Sequence, residues 1–386
     1  MEIDNFSLAS LPKIHFGKGE FKKIIPTVKE YGKNVALIIG GNSFKRSSYY
    51  SELISNSETE GIKFTEVSVQ GEPSPEIIDT SCKDLRGKDI DIVLAIGGGS
   101  VLDAGKAISA MLKLDDSIIN YLEGVGDKIH PGIKVPFIAV PTTSGTGSEC
   151  TKNAVISRIG AEGFKKSLRD DNFIPDVAIV DPELTISCPL EVTAACGLDA
   201  ITQLIGAYLS TNSSVLTDSI AISGLKAGIE GILTSLNEPG NIDARTKLSY
   251  ASICSGIVLA NAGLGLVHGF ASPLGAFFPI PHGVACGTLL GVVIEENIKR
   301  ADDKYLKKYA IIGRIFANDE TLNQSDALKS LMNVINTLIE ITDIKKLSFY
   351  GIKEGDLELI VENSSLKNNP VHFSQTELKE ILLKRV

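Results

Sequence analysis

The sequence lacks the local features that mark several classes of protein. It has no low-complexity segment, no block of like charge and no internal repeat, as expected for an ordinary globular chain. Its formal net charge is -9, whereas binding to nucleic acid requires a basic face. We therefore expect no nucleic-acid partner. A length of 386 residues exceeds what one hydrophobic core usually serves, and this favours two domains.

Close cysteine pairs are also missing. The six cysteines are scattered along the chain, without the spacing of a zinc knot or a redox motif. The first ten residues carry early acids and no apolar core of a signal peptide, so we expect no secretory signal. Reduced thiols and a cytoplasmic location are the expectation.

Charged side chains are absent from residues 248–294. A membrane span is one interpretation of such a segment, but Gly, Ser, Asn and Pro interrupt it and it contains His268 and His282. A buried, mostly helical core is therefore expected, and no membrane.

Three short apolar runs in the first half of the chain predict parallel strands covered on both faces. They span residues 34–39, 91–96 and 134–140, and each ends in a loop rich in Gly or in Gly, Ser and Thr. A helical stretch at 101–112 lies between two of them, and such alternation predicts a doubly wound parallel sheet. Ligands of such sheets bind at the carboxyl edge of the strands.

The second half shows helical periodicity from about residue 190. Helices are predicted at 192–208, 215–233, 244–260, 325–341 and near 377–383. The predicted architecture is an α/β nucleotide-binding domain over residues 1–184, followed by an all-α metal-binding and catalytic domain over residues 185–386.

Two loops suggest a cofactor. Gly97-Gly98-Gly99-Ser100 follows a strand and opens a helix, whose N-terminal amides favour an anion such as a pyrophosphate. It is not the usual dinucleotide fingerprint, because Leu102 stands where the third glycine should be. A tight structural turn would also explain it. The second loop, residues 141–148, follows the next strand, and together the two loops predict a cradle for phosphate and nicotinamide.

Three side chains in the second half are candidate metal ligands. Asp199 lies early in a predicted apolar helix, where it could instead serve the helix N-terminal end. His268 and His282 lie in the charge-free segment, where a lone histidine is more often a core residue. If the fold brings Asp199 into this charge-free region, the buried carboxylate would need a partner. One Asp and two His around a cation would satisfy all three and leave positions open for water or substrate.

Several motifs in order resemble one family over essentially the whole chain. Residues 11–19 are similar to the family's first hairpin, residues 97–106 to its diphosphate loop and residues 141–149 to its second cofactor loop. Residues 175–182 are similar to the stretch that precedes the family's second domain. Residues 197–200 and 265–283 are similar to its two metal-binding regions. On these motifs the chain is identified as resembling the iron-containing (group III) alcohol dehydrogenases.

The resemblance implies a cleft between the two domains that holds cofactor, metal and substrate. It implies one divalent cation, Fe²⁺ or Zn²⁺, on Asp199, His268 and His282, which act in catalysis through the metal. The implied cofactor-binding residues are Gly41, Asn42, Ser43, Gly98, Gly99, Ser100, Asp103, Thr142, Thr143, Thr146 and Lys165. Of these, Lys165 is expected at a ribose.

The implied reaction is hydride transfer between NAD(P)(H) and an aldehyde or primary alcohol, the cation polarising the carbonyl oxygen as a Lewis acid. Relatives also suggest a homodimer or larger assembly.

Two positions depart from the family pattern. Gln203, four residues after Asp199, and Ser272, four residues after His268, stand where the family usually has histidines. An amide oxygen is a weaker ligand than imidazole, so Gln203 is only a possible fourth ligand. A metal-independent reductase, a dehydroquinate synthase-like lyase and a non-catalytic nucleotide-binding protein are the alternatives.

Cofactor choice depends on the loop after the first apolar strand, residues 40–46. It contains no carboxylate to meet a ribose 2'-hydroxyl, and it ends in Lys45 and Arg46. Two cations there could accept a 2'-phosphate, although they could also be solvated helix residues. The sequence therefore favours NADP(H) over NAD(H).

Overall fold

A six-stranded parallel sheet forms the centre of the first half of the molecule. The computed structural model describes residues 3–386. Eight strands are present: β1 (Lys13–Phe16), β2 (Asn34–Gly40), β3 (Lys63–Val69), β4 (Ile92–Gly97), β5 (Phe137–Pro141), β6 (Asn153–Arg158), β7 (Phe164–Arg169) and β8 (Val177–Val180). The sheet order is β1-β8-β5-β4-β2-β3, and β6 and β7 form a separate antiparallel pair.

Alternate residues of the central strands face two different cores, because successive side chains of a strand point to opposite faces. The helices of this half are α1 (Ile24–Lys29), α2 (Ser48–Glu60), α3 (Pro75–Leu85) and α4 (Gly99–Met111). Ala36 and Ile38 of β2 pack with residues of α3 and α4. Val35, Leu37 and Ile39 pack on the other face with α1 and α2. Helices on both faces confirm the doubly wound α/β prediction.

The second half is helical throughout the described residues. It contains α5 (Leu190–Tyr208), α6 (Val215–Asn237), α7 (Ile242–Ala262), α8 (Leu266–Phe277), α9 (His282–Arg300), α10 (Asp303–Ala317), α11 (Gln324–Ile341), α12 (Leu357–Glu362) and α13 (Gln375–Leu383). The five predicted helices of this half are confirmed to within a few residues. The last strand ends at Val180 and α5 begins at Leu190, so the predicted division at residue 184 falls in the connection between them.

Within residues 3–386, α5 is the one helix long and apolar enough to cross a membrane, and α7 and α8 together would be so only as one span bent by 99°. Two thirds of the apolar part of α5 is buried inside the protein, where Leu198, Ile201 and Leu204 pack against the surrounding helices. The charge-free segment 248–294 forms most of α7, all of α8 and most of α9, as the prediction of a buried helical core requires.

One prediction about the start of the chain is wrong. Residues 11–19 contain no hairpin: β1 pairs in parallel with β8, Lys13 lying opposite Val177. After β1 the chain turns through Gly17 and Gly19, both of which have positive φ. A partner strand 164 residues away satisfies the backbone of β1, and a local pattern cannot indicate such a pairing.

A candidate metal and cofactor site in the cleft

Three loops lie side by side at the carboxyl edge of the sheet, because β2, β4 and β5 are neighbours in parallel. Gly97 lies opposite Pro141 in the pairing of β4 and β5, and Ile39 opposite Ile96 in that of β2 and β4. The Thr142 amide donates to the Gly97 carbonyl at 2.9 Å. The predicted cofactor loops therefore meet at one edge, where open parallel sheets bind their ligands.

The glycine loop after β4 begins α4 without a side-chain cap. Gly98 is the N-cap residue, and no side chain bonds to the first amides of the helix. By helix geometry, the amides of Gly99 and Ser100 have no partner within the helix, and they are available to an anion. A Cβ at Gly99 would lie 2.7 Å from Thr146 Cγ2, and one at Gly98 would lie 3.3 Å from Thr143 Oγ1. The glycines are therefore required for the close contact between the two loops.

The second loop is attached to the helical half. Gly147 has φ +62°, and a Cβ there would lie 2.5 Å from the Gly256 nitrogen of α7. The Ser144 and Ser249 hydroxyls lie 3.0 Å apart, and Ser255 Oγ donates to the Gly145 carbonyl at 3.2 Å. Thr142, Thr143 and Thr146 are partly exposed on this loop. The packing against α7 fixes the loop where the two halves of the molecule meet.

Two charged residues of α4 hold the end of the second loop. Lys106 of α4 donates to the carbonyl and hydroxyl of Ser148 and to Thr151 Oγ1, at 2.8–3.1 Å. Asp103 accepts from Ser148 Oγ and from the Val155 amide. Burial raises the pKa of Asp103 and lowers the pKa of Lys106 to about 8, although their mutual attraction opposes both changes. Asp103 thus fixes the position of the second loop, which is itself a predicted cofactor contact.

The three predicted metal ligands converge. His268 Nε2 lies 3.2 Å from Asp199 Oδ1, and His282 Nε2 lies 3.8 Å from the same oxygen. Asp199 belongs to the third turn of α5, which begins at Leu190, so the alternative that it serves the helix N-terminal end is wrong. His268 lies in the first turn of α8, and His282 is the first residue of α9. Two helix starts and one helix interior thus bring the donors together.

Residues around this cluster suit a cation. Gln203 Nε2 approaches Asp199 Oδ2 at 3.5 Å, which leaves Oδ1 directed at the two imidazoles. Buried Gln203 Oε1 and His282 Nδ1 have no hydrogen-bond partner among the described residues. Polar atoms buried without partners are rare and demand an explanation. A carboxylate and two imidazoles are suitable donors for a first-row divalent metal.

The protonation states favour ligand behaviour. Burial, followed by the charge of Lys165, lowers the pKa of His282 to about 4. Burial raises the pKa of Asp199, but the imidazoles of His282 and His268 outweigh it, and the net pKa lies below its usual value. A neutral imidazole and an ionised carboxylate are the forms that bind metals.

Sequence reasoning missed one member of the cluster, Cys286. Its Sγ lies 3.5 Å from His268 Nε2 and 3.8 Å from His282 Nε2. Candidate ligand atoms of Asp199, His268, His282 and Cys286 all lie within 4.8 Å of one another. A signal was available, because residues 282 and 286 are four apart and so share one face of a helix.

The cluster opens into a cavity of about 220 Å³ that also reaches the cofactor loops. Ser100, Thr146, Lys165, Gln203, Ser272, His268 and His282 are among its lining residues. Lys165 of β7 forms an ion pair with Glu72, and its aliphatic part packs against Gly275. The Ser272 hydroxyl donates to the His268 carbonyl at 3.2 Å. The cavity thus joins the start of α4 to two of the predicted metal ligands.

The loop after β2 lies outside that cavity but beside the glycine loop, because a Cβ at Gly40 would lie 3.3 Å from Val101 of α4. Gly41, Asn42 and Ser43 follow with substantial exposure. Of the two predicted phosphate-binding cations, Lys45 is paired with Glu66 at 2.6 Å.

Arg46 is exposed and forms no ion pair with any residue in 3–386. This leaves Arg46 as the cation available to a ligand at the edge of β2.

Comparison with known proteins shows the family. The family model described as iron-containing alcohol dehydrogenase matches residues 12–182, and that of the C-terminal region of the Fe-containing alcohol dehydrogenase family matches residues 193–386. An NADPH-dependent butanol dehydrogenase of Clostridium saccharobutylicum is 32% identical over 383 residues, which cover 96% of each chain.

Two solved structures show the same fold. An archaeal halo-thermophilic alcohol dehydrogenase from a Red Sea brine pool superposes with a TM-score of 0.91 at 25% identity, over 100% of both chains. Sulfoacetaldehyde reductase from Bifidobacterium kashiwanohense, solved in complex with NAD⁺, superposes with a TM-score of 0.87 at 28% identity, over 99% of both chains.

An oxidoreductase that uses NAD(P) and a divalent metal on an alcohol or aldehyde thus accounts for the cofactor loops, the donor cluster and the fold. This chain belongs to the iron-containing alcohol dehydrogenase family.

Proposed function

We propose that this protein reduces small aldehydes to primary alcohols with NADPH as its preferred hydride donor, in the cleft that contains Asp199, His268 and His282. The observation that carries the proposal is the convergence of these donors, 3.2–3.8 Å apart, where His268 and His282 line one cavity with Ser100 of the glycine loop. The same cluster argues against a non-catalytic nucleotide-binding protein, which would have no use for it. A lyase acting on a phosphate-bearing substrate would need basic residues that segment 248–294 lacks.

Within this proposal the chain's own residues position the reactants. The amides of Gly99 and Ser100 bind the pyrophosphate, and Thr142, Thr143 and Thr146 bind the nucleotide beside it. Gln203 fixes Asp199 by donating to Oδ2. A cation held by Asp199, His268 and His282 would supply Lewis-acid polarisation of the carbonyl oxygen. Burial of Asp199 and His268, 2% and 4% exposed, excludes water and strengthens the electrostatic interactions at this point.

The proton that the product alcohol needs does not come from Ser272 in this proposal. The Ser272 hydroxyl already donates within its own helix. Lys165 is the cation beside His282, and its charge contributes to the lowered pKa of that imidazole. Lys165 is also the residue predicted to contact a ribose hydroxyl, which gives the proton a path from solvent along the Glu72–Lys165 pair.

The preference for NADPH is supported by the carboxylate-free loop after β2 and by the unpaired Arg46 beside it. An arginine guanidinium is well suited to a phosphate because it donates in a planar fork. A relative 32% identical is NADPH-dependent. Assembly as a homodimer or larger oligomer and a cytoplasmic location belong to the same proposal, and they are supported by the family resemblance alone.

The experiment that tests the proposal measures kcat/KM for a panel of short-chain aldehydes with NADPH and with NADH. We expect turnover with at least one aldehyde, and a preference for NADPH of roughly tenfold or more, since a charge-assisted hydrogen bond contributes about 1.5–3 kcal/mol. Equal use of the two cofactors would contradict the role of Arg46. The absence of hydride transfer to every aldehyde would contradict the substrate class.

A further inference from the structure

The donor cluster contains one thiol in addition to the family's carboxylate and imidazoles. We propose that Cys286 is a fourth protein ligand of the cation, so that the site holds zinc through one carboxylate, two imidazoles and one thiolate. This inference rests on the proposed function, because it adds a ligand to the same cation site. The sequence of α9 does not by itself require the Cys286 thiol to face polar groups.

The distances between donors match a tetrahedron of ligands around zinc. Zinc binds His nitrogen at about 2.0–2.1 Å, carboxylate oxygen at about 2.0–2.2 Å and thiolate sulfur at about 2.3 Å. A regular tetrahedron with these arms has edges of roughly 3.3 Å between N or O donors and roughly 3.6 Å between S and N.

The observed O–N separations are 3.2 and 3.8 Å, and the S–N separations are 3.5 and 3.8 Å. Four of the six edges of the donor set are thus close to those of a zinc tetrahedron, and all four ligand atoms lie within 4.8 Å of one another.

Gln203 is the competing fourth ligand, and the structure gives it a different task. Its amide nitrogen approaches Asp199 Oδ2, so the amide acts on the far oxygen of the carboxylate. The assignment of N and O within an amide follows from the hydrogen-bond network, and here the network places the nitrogen against Asp199. The Cys286 sulfur, in contrast, contacts both imidazoles directly. In this assignment Gln203 orients Asp199 and Cys286 binds the cation, so the unpartnered Gln203 Oε1 is left to water or substrate.

A thiolate changes which metal the site prefers. Soft sulfur ligands select zinc over harder first-row cations, which prefer oxygen and nitrogen. On coordination the thiol loses its proton to solvent and forms the S–Zn bond, with no change of oxidation state. A zinc ion held by four protein ligands would polarise the carbonyl oxygen only by expanding its coordination to five, as some catalytic zinc sites do in the transition state.

Zinc-edge X-ray absorption on the full-length protein loaded with one equivalent of Zn²⁺ tests the proposal without any variant. We expect one sulfur at about 2.3 Å beside nitrogen and oxygen. The Co²⁺-loaded protein should show the near-ultraviolet charge-transfer band that only a thiolate ligand produces. A spectrum fitted by nitrogen and oxygen alone would overturn the assignment of Cys286 and leave the proposed function intact.

Zinc titration of two matched variants adds an independent readout. Even partners outside the ligand shell contribute about 10- to 100-fold to metal affinity, so C286S should weaken zinc binding by more than roughly 100-fold. Cys254, a buried helical thiol in another core, provides the control, and C254S should bind zinc like the wild type. Equal affinities of the two variants would overturn the inference. A wild-type protein that takes up no zinc or cobalt would overturn the cation site and the proposed function with it.

Discussion

The contact between the second cofactor loop and α7 depends on the absence of a side chain at Gly147, so we expect G147A to destabilise the protein. The residue has φ +62°, and a Cβ would lie 2.5 Å from both the Gly256 nitrogen and the Ser252 carbonyl oxygen. The left-handed conformation costs an L-residue about 1–2 kcal/mol. Overpacking against backbone that cannot rotate away costs about 1–3 kcal/mol. The expected loss in free energy of unfolding is therefore about 2–5 kcal/mol.

Two control variants separate these contributions. Gly19 also has positive φ, +74°, but nothing lies within 4 Å of its Cβ position, so G19A should lose only the conformational part. Gly240 has neither a positive φ nor a close neighbour, and G240A should be neutral or slightly stabilising, because alanine restricts the unfolded chain.

The assay is urea denaturation, in which the shift in midpoint multiplied by the slope gives the change in free energy, combined with NADPH titration. G147A should also bind NADPH more weakly than either control, because Thr143 and Thr146 move with the loop. If G147A were no less stable than G19A, the close packing of this loop on α7 would be refuted, and with it the account of how the two halves build one cleft.

Three further predictions concern the site and its surroundings. D199A or H268A should abolish metal-dependent aldehyde reduction while NADPH binding, followed by fluorescence titration, stays close to wild type; wild-type turnover in either variant would exclude a role for the cation. Burial raises the pKa of Glu149 from its usual 4.5 to about 7. Between these two values the folded protein keeps a proton that the unfolded chain loses. The free energy of unfolding therefore falls by about 3 kcal/mol as the pH rises through this interval. E149Q has no such proton, and its free energy of unfolding relative to wild type should therefore rise by about that amount from pH 4.5 to pH 8; a pH-independent difference would show that Glu149 is ionised in the folded state. R46A should raise the Kd for NADPH roughly tenfold or more with little effect on the Kd for NADH, since a charge-assisted hydrogen bond contributes about 1.5–3 kcal/mol. K45A removes a cation that is already paired with Glu66, so it should change the Kd for NADPH less. Equal effects of the two variants would refute this distinction.

Sequence patterns were sufficient to predict those strands that are buried along their whole length. Strands β2, β4 and β5 are covered on both faces, so their apolar runs are unbroken. Strand β3 was not predicted, because its run Lys63–Val69 lies at the sheet edge and mixes exposed polar residues with apolar ones. The β6–β7 pair was missed for a similar reason, since Phe164–Arg169 carries charges within the strand.

The candidate site could be predicted in part. Asp199 was identified as a carboxylate in an apolar helix, and His268 and His282 from their charge-free surroundings; the structure brings the three together. Asp103, expected at the cofactor, lines the cavity and accepts from the Ser148 hydroxyl and the Val155 amide, a support for the second loop that residue type alone did not indicate. Cys286 was not identified, since the cysteines form no close pairs in the sequence and the relation of Cys286 to His282 depends on where α9 begins. The individual cofactor contacts remain predictions.

The measurement that tests the central claim most directly is the metal content of the purified protein by elemental analysis, combined with NADPH-dependent aldehyde reduction before and after chelation. The account predicts near-stoichiometric zinc or iron, with activity lost on chelation and restored by the metal. Little metal together with turnover that resists chelation would contradict it. In that case Asp199, His268 and His282 would hold no catalytic cation, and the chain would be a metal-independent reductase.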